Sequence, residues 1–385
     1  MNTFHFNTAK SIHFGVGALS TIGQLVQQEI GTRVMLVTDS GMMSTGIVDQ
    51  ALTHLSKAGI DVVLFQDVIA DPTESVILSA VGQAKTAKVE GIIGLGGGSS
   101  LDVAKLIALL CAGESTLASA YGVGNASTVR LPLLLVPTTA GTGSEVTPIA
   151  IVTTGSSQKM GVVSPTLLPD IALLDPLLTL GLPPHITAAT GIDAMVHAIE
   201  SYASTNPNNN PISRFCAEKA LQLISTSLLT AVRIGTNLQA RSDMLLGSML
   251  AGQAFANSPV AAVHALAYPL GGYFHIPHGL SNALVLPHVL RFNLETSPQA
   301  YCELATLIFP ELNSIDEQKR GSALCDKLVE LSNLCGLPQS LREMKIPEEI
   351  LPVLAKDAMK QTRLLANNPR SINESEALSI YQAAY

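Results

Sequence analysis

Asp193 and His197 stand four apart in Gly191-Ile-Asp-Ala-Met-Val-His-Ala-Ile-Glu200, so on a helix they project from one face, where a carboxylate and an imidazole can hold one metal ion. By itself such a pair is most often a surface or capping contact. The neighbours argue for more. Ala188, Ala189, Ile192, Ala194, Met195, Val196, Ala198 and Ile199 make the helix apolar on nearly every side, so its ionisable groups are expected to be buried and to need partners. From Met244 to Leu290 there is no Asp, Glu, Lys or Arg, yet His264, His275, His278 and His288 all fall inside. One buried histidine is ordinary core chemistry; four in one uncharged stretch are not explained by packing. Three neutral imidazoles and one carboxylate would form a site that leaves a divalent ion positively charged, with open positions, and able to act as a Lewis acid.

A second constellation lies in the first half. Gly91-Ile-Ile-Gly-Leu-Gly-Gly-Gly-Ser-Ser runs into Asp102-Val-Ala-Lys-Leu-Ile-Ala-Leu-Leu, which reads as strand, glycine turn and helix. Backbone N–H groups of such a turn can close on a phosphate that a Cβ would block, and the helix dipole adds attraction, so Gly96, Gly97, Gly98 and Ser99 are pyrophosphate candidates. Asp39 ends the earlier apolar strand Arg33-Val-Met-Leu-Val-Thr, where a carboxylate can accept from ribose hydroxyls. A further strand, Leu133-Leu-Leu-Val-Pro, opens into Thr138, Thr139 and Thr142, placing hydroxyls at another strand end. Because Asp39 precedes the glycine turn, this is a dinucleotide site wired differently from the standard fingerprint. Thr147 to Thr154 and Lys159 to Ser164 read as paired strands, with Lys159 either near a ribose or phosphate or simply solvated.

The elements that must position these groups alternate between strand and helix from Ser11 to about Asp175, the pattern of a parallel α/β sheet. Beyond it the chain reads as helical, with Glu317 to Leu334 and Glu348 to Leu365 as amphipathic helices carrying no chemical constellation. At 385 residues two domains are the default, here 1–180 and 181–385. Charged residues are only 14 %, which points to surface buried in a homodimer or higher homo-oligomer, and a net charge of −8 without basic runs disfavours nucleic acid and anionic membrane. Gly247, Gly252, Gln253, Asn257, Pro259, His264 and Pro269 interrupt every apolar window of bilayer length, so a buried helix pair is expected rather than a membrane span. Five scattered cysteines without Cys-x-x-Cys spacing, and no secretory signal, read as reduced thiols of a cytoplasmic protein.

Four motifs now stand in order: Gly96-Gly-Gly-Ser-x-x-Asp102, Pro137-Thr-Thr-Ala-Gly-Thr-Gly-Ser-Glu145, Gly191-Ile-Asp-Ala-x-x-His-Ala-Ile-Glu200 and Pro277-His-Gly-x-x-Asn-Ala-x-x-Leu-Pro-His288. Together they resemble the iron-containing (group III) alcohol dehydrogenase family, related in fold to glycerol dehydrogenase and dehydroquinate synthase. The resemblance, which runs from about Phe14 to the C-terminus, implies an N-terminal α/β dinucleotide-binding domain and an all-α C-terminal metal-binding domain, with cofactor and metal in the cleft between. It implies Asp193, His197, His264 and His278 as metal ligands, Gly97, Gly98, Ser99 and Asp102 at the pyrophosphate with Thr138, Thr139 and Thr142 nearby, Asp71 near the adenosine end and Lys159 by the nicotinamide ribose. Asp39 matches the position that contacts the adenosine ribose in NAD-preferring members, and a carboxylate there repels a 2′-phosphate, so NAD is expected over NADP.

One departure stands out: where many members carry another histidine four residues after the third ligand, this chain has Tyr268, and His275 lies three residues before His278. The expectation is that His275 takes over, or shares with Tyr268, proton exchange with solvent, the alternative being that it only lines the pocket. The implied reaction is reversible hydride transfer between an alcohol and the nicotinamide ring, with an aldehyde or ketone as the other product, assisted by Fe²⁺ or, as a second possibility, Zn²⁺. A lyase of the dehydroquinate synthase type would need basic residues to grip an acidic phosphorylated substrate, and the uncharged stretch around His264 lacks them. A non-catalytic relative is disfavoured by the retention of all four ligand positions, and Ser144 lacks the full Gly-x-Ser-x-Gly elbow of a hydrolase.

Overall fold

The computed structural model describes residues 3–113, 115–155 and 158–385. The chain divides into two compact units: Asn7–Gly181, and Leu182–Tyr385 joined by the segment that ends at Phe6. That segment is tied to the helical unit through Asn208, whose Oδ1 accepts from His5 N at 2.8 Å and whose Nδ2 donates to His5 O at 2.9 Å.

The described residues of the first unit form β1 (Ser11–Phe14), β2 (Arg33–Asp39), β3 (Asp61–Val68), β4 (Gly91–Gly96), β5 (Gly122–Val123), β6 (Leu133–Pro137), β7 (Ile149–Thr154), β8 (Gln158–Val163) and β9 (Ile171–Leu174). Six of them make an all-parallel sheet in the order β1-β9-β6-β4-β2-β3, and the others a small sheet in the order β5-β8-β7. Apolar residues occupy successive positions along the central strands because both faces are covered. Val34 and Leu36 enter one core cluster with Ile93, Leu95, Leu134 and Val136, while Met35 and Val37 enter the other with Ile92, Leu133 and Leu135.

The glycine turn is where β4 hands over to the helix Gly98–Ala112. Gly96 has φ +149, and a Cβ there would stand 2.8 Å from Ser100 Oγ, so the sharp exit from the strand requires glycine. Two turns into that helix Lys105 is fully buried, and its ammonium donates to Ser144 Oγ at 2.7 Å, Thr147 Oγ1 at 3.1 Å and Ile149 O at 2.7 Å. Three hydrogens thus meet three acceptors. Asp102 works beside it, accepting from Ser144 Oγ at 2.6 Å and from Ile151 N at 2.9 Å.

The second unit is helical, with long members Pro184–Ala203, Pro211–Arg233, Leu238–Asn257, Ala262–Phe274, His278–Leu294 and Glu317–Leu334. The continuous helix expected over 348–365 is instead broken into Glu348–Ile350, Leu351–Ala358 and Thr362–Leu365. Gln361 leaves the helical region at ψ 48, which ends one apolar stripe and starts another. No helix among the described residues is long and apolar enough to cross a membrane.

Glu145 follows Ser144 and is 1 % exposed, and its Oε1 has no hydrogen-bond partner among the described residues. Burial pushes its carboxyl up to about 7, its own backbone N–H and the charge of Lys105 pulling the other way. A group with a raised folded-state pKa contributes stability that is complete below the unfolded value and is lost as pH climbs through the folded one. Glu145→Gln removes the titration and keeps the shape. Its stability relative to the parent should therefore rise by about 2 kcal/mol between pH 5 and pH 8, read from urea unfolding at both pH values. A difference that stays flat with pH would show that the Glu145 carboxyl titrates in the folded protein as it does in the unfolded chain.

Candidate metal centre

Each donor reaches the centre from a helix whose sequence leaves it no other place. Asp193 and His197 share the helix Pro184–Ala203, on which nearly every residue from Gly191 to Tyr202 is buried, and they are themselves 2 % and 5 % exposed. His264 lies in the first turn of Ala262–Phe274, and His278 opens His278–Leu294. The last helix approaches the first closely: a Cβ at Gly279 would stand 2.4 Å from Ala189 O and 3.1 Å from Asp193 Cβ, so only glycine lets the backbones come this near.

One ligand atom from each of Asp193, His197, His264 and His278 then falls within 4.8 Å of all the others. Asp193 Oδ1 lies 3.7 Å from His278 Nε2. His197 stacks on Phe255 at 4.4 Å between ring centroids and on His264 at 4.8 Å, so the apolar ring fixes the plane of the imidazole. Burial alone would raise the Asp193 carboxyl, but His278, His197 and His264 together with the Asn282 amide outweigh it and hold the group below the usual carboxylate range. A carboxylate kept ionised without a neighbouring Lys or Arg, among imidazoles whose ring nitrogens converge, is the donor chemistry of a divalent transition-metal site. The residues present fit such an ion.

Two residues of this centre had no role assigned from sequence. Glu200, two turns after Asp193 and 5 % exposed, accepts from Val263 N at 2.6 Å, and its other oxygen lies 2.6 Å from His264 Nδ1. With Nδ1–H held by the carboxylate, the lone pair of Nε2 is turned toward the other donors. The signal was available, since a glutamate on a helix apolar all round must find a partner. Asn282, one turn after His278, places Nδ2 at 2.6 Å from Asp193 Oδ1 and at 3.3 Å from Nε2 of both His264 and His278.

Tyr268 stands beside the centre, its ring 5.9 Å from that of His278. His275 is exposed and caps the helix Ala262–Phe274 in the left-handed region at φ 54, its N–H bonded to Gly271 O at 3.0 Å. His278 is the most open of the four donors, with 42 % of its side chain exposed.

In the α/β unit the strand ends gather Asp39, the glycine turn and the hydroxyl residues. Asp39 caps the short helix that follows β2, accepting from Met42 N at 3.1 Å, and Ser100 Oγ lies 3.3 Å from its other oxygen. Thr138 N donates to Gly96 O at 3.0 Å, the Thr139 side chain faces Gly97, and a Cβ at Gly98 would stand 2.8 Å from Thr142 Cγ2. No side chain caps the helix Gly98–Ala112, so its first N–H groups and the half-buried Ser99 face the same turn. Asp102, also on this helix, accepts from Ser144 Oγ at 2.6 Å and from Ile151 N at 2.9 Å. Asp71, in the left-handed region at φ 55, forms an ion pair with Lys159, which also donates to Thr153 Oγ1 at 3.2 Å.

A parallel sheet ending in a glycine turn, together in one chain with an all-helical unit bearing one carboxylate and three imidazoles, defines a metal-dependent oxidoreductase of two-unit architecture. Residues 9–176 match the family described as iron-containing alcohol dehydrogenase, and residues 187–385 match the Fe-containing alcohol dehydrogenase family, C-terminal. The chain belongs to the iron-containing alcohol dehydrogenase family, and its reaction is that of an alcohol dehydrogenase. It is 39 % identical over 376 residues to long-chain-alcohol dehydrogenase 1 of Geobacillus thermodenitrificans (strain NG80-2), covering 97 % of this chain and 94 % of the relative. Among solved structures it is similar to a 1,3-propanediol oxidoreductase, at TM-score 0.96 and 36 % identity over 100 % of both chains. It is also similar to sulfoacetaldehyde reductase of Bifidobacterium kashiwanohense in complex with NAD⁺, at TM-score 0.88 and 28 % identity over 100 % of this chain and 99 % of that one.

The Glu200 contact yields a direct test. Glu200→Ala should weaken Co²⁺ binding by about 10- to 100-fold in competition with a chromogenic chelator, whereas Glu200→Gln, which can still accept from Nδ1–H, should lose far less. Equal affinity in the parent and the alanine variant would remove Glu200 from the centre.

Proposed function

We propose that the protein interconverts an uncharged alcohol and its carbonyl product, with NAD as the hydride acceptor. The observation that carries this reading is the convergence of Asp193, His197, His264 and His278 within 4.8 Å. Those four side chains would hold a divalent ion, ferrous in keeping with the family, with Glu200 fixing the tautomer of one of them, and the bound ion would supply Lewis acidity that favours negative charge on the substrate oxygen. Phe255 and Tyr268, against His197 and His278, give the substrate apolar walls and exclude water from the reacting carbon. With the cofactor bound, the carbinol C–H hydrogen would leave with its electron pair for the nicotinamide, and the hydroxyl proton would leave separately for solvent.

The stretch from Met244 to Leu290 carries no charged side chain apart from its histidines, so nothing there would pair with an anionic substrate such as a sulfonate. For the cofactor, Asp39 at the end of β2 supports NAD, since a carboxylate accepts from ribose hydroxyls and repels a 2′-phosphate. A relative solved with NAD⁺ supports the same choice. Gly96, Gly97, Gly98 and Ser99 would hold the pyrophosphate on the helix N-terminus, with Thr138, Thr139 and Thr142 beside it. Lys159 would lie by the nicotinamide ribose, and its ion pair with Asp71 would bring that carboxylate to the same place rather than to the adenosine end. Low charge density and five cysteines outside any disulfide support a homo-oligomer working in a reducing cytoplasm.

The deciding assay is a panel of alcohols and aldehydes with NAD and NADP, on protein reconstituted separately with ferrous iron and zinc. Uncharged alcohols with NAD and iron should be turned over fastest, and Asp39→Asn should shift the NADP/NAD ratio of kcat/KM upward by roughly tenfold or more. A parent enzyme that prefers NADP, or an unchanged ratio in the variant, would refute the assignment of Asp39.

Proton exchange with solvent is assigned to His275, shared with Tyr268. Asparagine tolerates the left-handed backbone found there, so His275→Asn tests the ring and not the turn. The variant should lose at least about tenfold in kcat, the low end of general acid–base effects because a second group shares the task, with partial rescue by added imidazole. An unaltered kcat and pH profile would make His275 a lining residue only.

A further inference from the structure

The ammonium of Lys159 already has partners within its own chain. Its side chain is only 14 % exposed, and it forms an ion pair with Oδ1 of Asp71 while donating to Thr153 Oγ1 at 3.2 Å. Three segments build this contact. Lys159 on β8 stands directly opposite Thr153 on β7, and Thr153 N donates to Pro72 O at 2.9 Å, so the bend that follows β3 is seated on the same rung of the ladder. Thr73 bridges to Thr153 beside it. Asp71 enters the bend in the left-handed region at φ 55, a conformation that aspartate tolerates better than most side chains. Its carboxylate remains 59 % exposed, so a change of rotamer can turn it to water while the bend stays in place.

We propose that Asp71 masks Lys159: its carboxylate competes with the oxygens of the nicotinamide cofactor for one ammonium, which weakens the hold on the cofactor and speeds its release. The proposal rests on the reading that Lys159 lies by the cofactor ribose, and it goes beyond that reading by giving Asp71 the opposing role. Both competitors offer oxygen acceptors to the same donor, and the dinucleotide arrives with negative charge of its own. A half-exposed carboxylate loses little when it is left to water, so the pair can open. The cofactor still spends part of its binding free energy on displacing it, and among forms of one binding site such a loss appears mainly as a shorter stay. A dehydrogenase must release its cofactor after every turnover, and a site that bound it more tightly would release it more slowly.

The test is a double-mutant cycle read by NADH fluorescence, which needs no turnover. Lys159→Met should weaken NADH binding by about threefold or more, because the ammonium is gone. Asp71→Asn, which keeps the left-handed backbone and drops the charge, should tighten it by about two- to fivefold, with NADH displacement in stopped flow slowed to match. Asp71→Gly is unstrained at that φ and should tighten binding likewise, which separates the charge from the turn. In the Lys159→Met background Asp71→Asn should change nothing, since no ammonium remains to be masked. A Kd equal to or above that of the parent in the Asp71 variants would overturn the mask, a rise showing that the carboxylate positions Lys159 for the cofactor. An equal gain with and without Lys159 would overturn it too, showing that Asp71 repels the phosphates directly. Melting curves accompany the titrations, and if Asp71→Asn does not fold, Asp71→Gly takes its place in the cycle. NADH binding left untouched by Lys159→Met would be a distinct failure, one that removes Lys159 from the cofactor site and the proposal with it.

Discussion

The helical unit depends on keeping one buried carboxylate charged. Asp193 is 2 % exposed, on a helix with hardly a polar neighbour, and an isolated carboxylate in such surroundings would take up a proton. It stays low because His278, His197, His264 and the Asn282 amide face it. Each of those requires a further residue in turn. His278 and Asn282 need the approach that Gly279 permits, His264 needs Glu200 behind it, and His197 needs Phe255 against its ring. The long apolar stretch is the consequence: charged residues near these groups would compete with them for Asp193 or screen it.

That logic explains which parts could be read without coordinates. The four donors stood out because ionisable residues interrupt segments that are otherwise apolar, and the parallel sheet because apolar β-branched runs recur between helical ones. Glu200 and Asn282 lay inside the recognised motifs, yet their partners are 63 and 64 residues away for the glutamate and 89 residues away for Asn282 and Asp193, a pairing that no local pattern encodes. Asp102 shows a subtler limit. Its bonds to Ser144 and Ile151 N, 42 and 49 residues away, come from the packing of the glycine helix and from no local pattern. The ion pair of Asp71 with Lys159 joins the bend after β3 to β8, and the break after Ala358 depends on a backbone angle at Gln361 rather than on hydropathy.

The α/β unit solves a related problem with opposite signs. The segment Thr138–Val146 must present hydroxyls beside the glycine turn, but it has little regular structure to hold it, only a short 3-10 turn at Ser144–Val146. Lys105 supplies what a ladder would have supplied, reaching Ser144, Thr147 and Ile149 from a regular helix that is anchored on β4. Burial lowers the pKa of Lys105 and the nearby charges of Asp102 and Glu145 oppose that fall, while three acceptors within hydrogen-bond distance suit an ammonium. An apolar side chain of the same length would fill the space yet leave two hydroxyls and a carbonyl without their donor, and the segment would be free to adopt other arrangements. The buried lysine thus acts on the rigidity of the threonine segment, whereas the buried aspartate of the helical unit acts on an ion. In both places the sequence accepts a charged group in the interior because several hydrogen-bonding atoms from separate segments can be fixed by it at once.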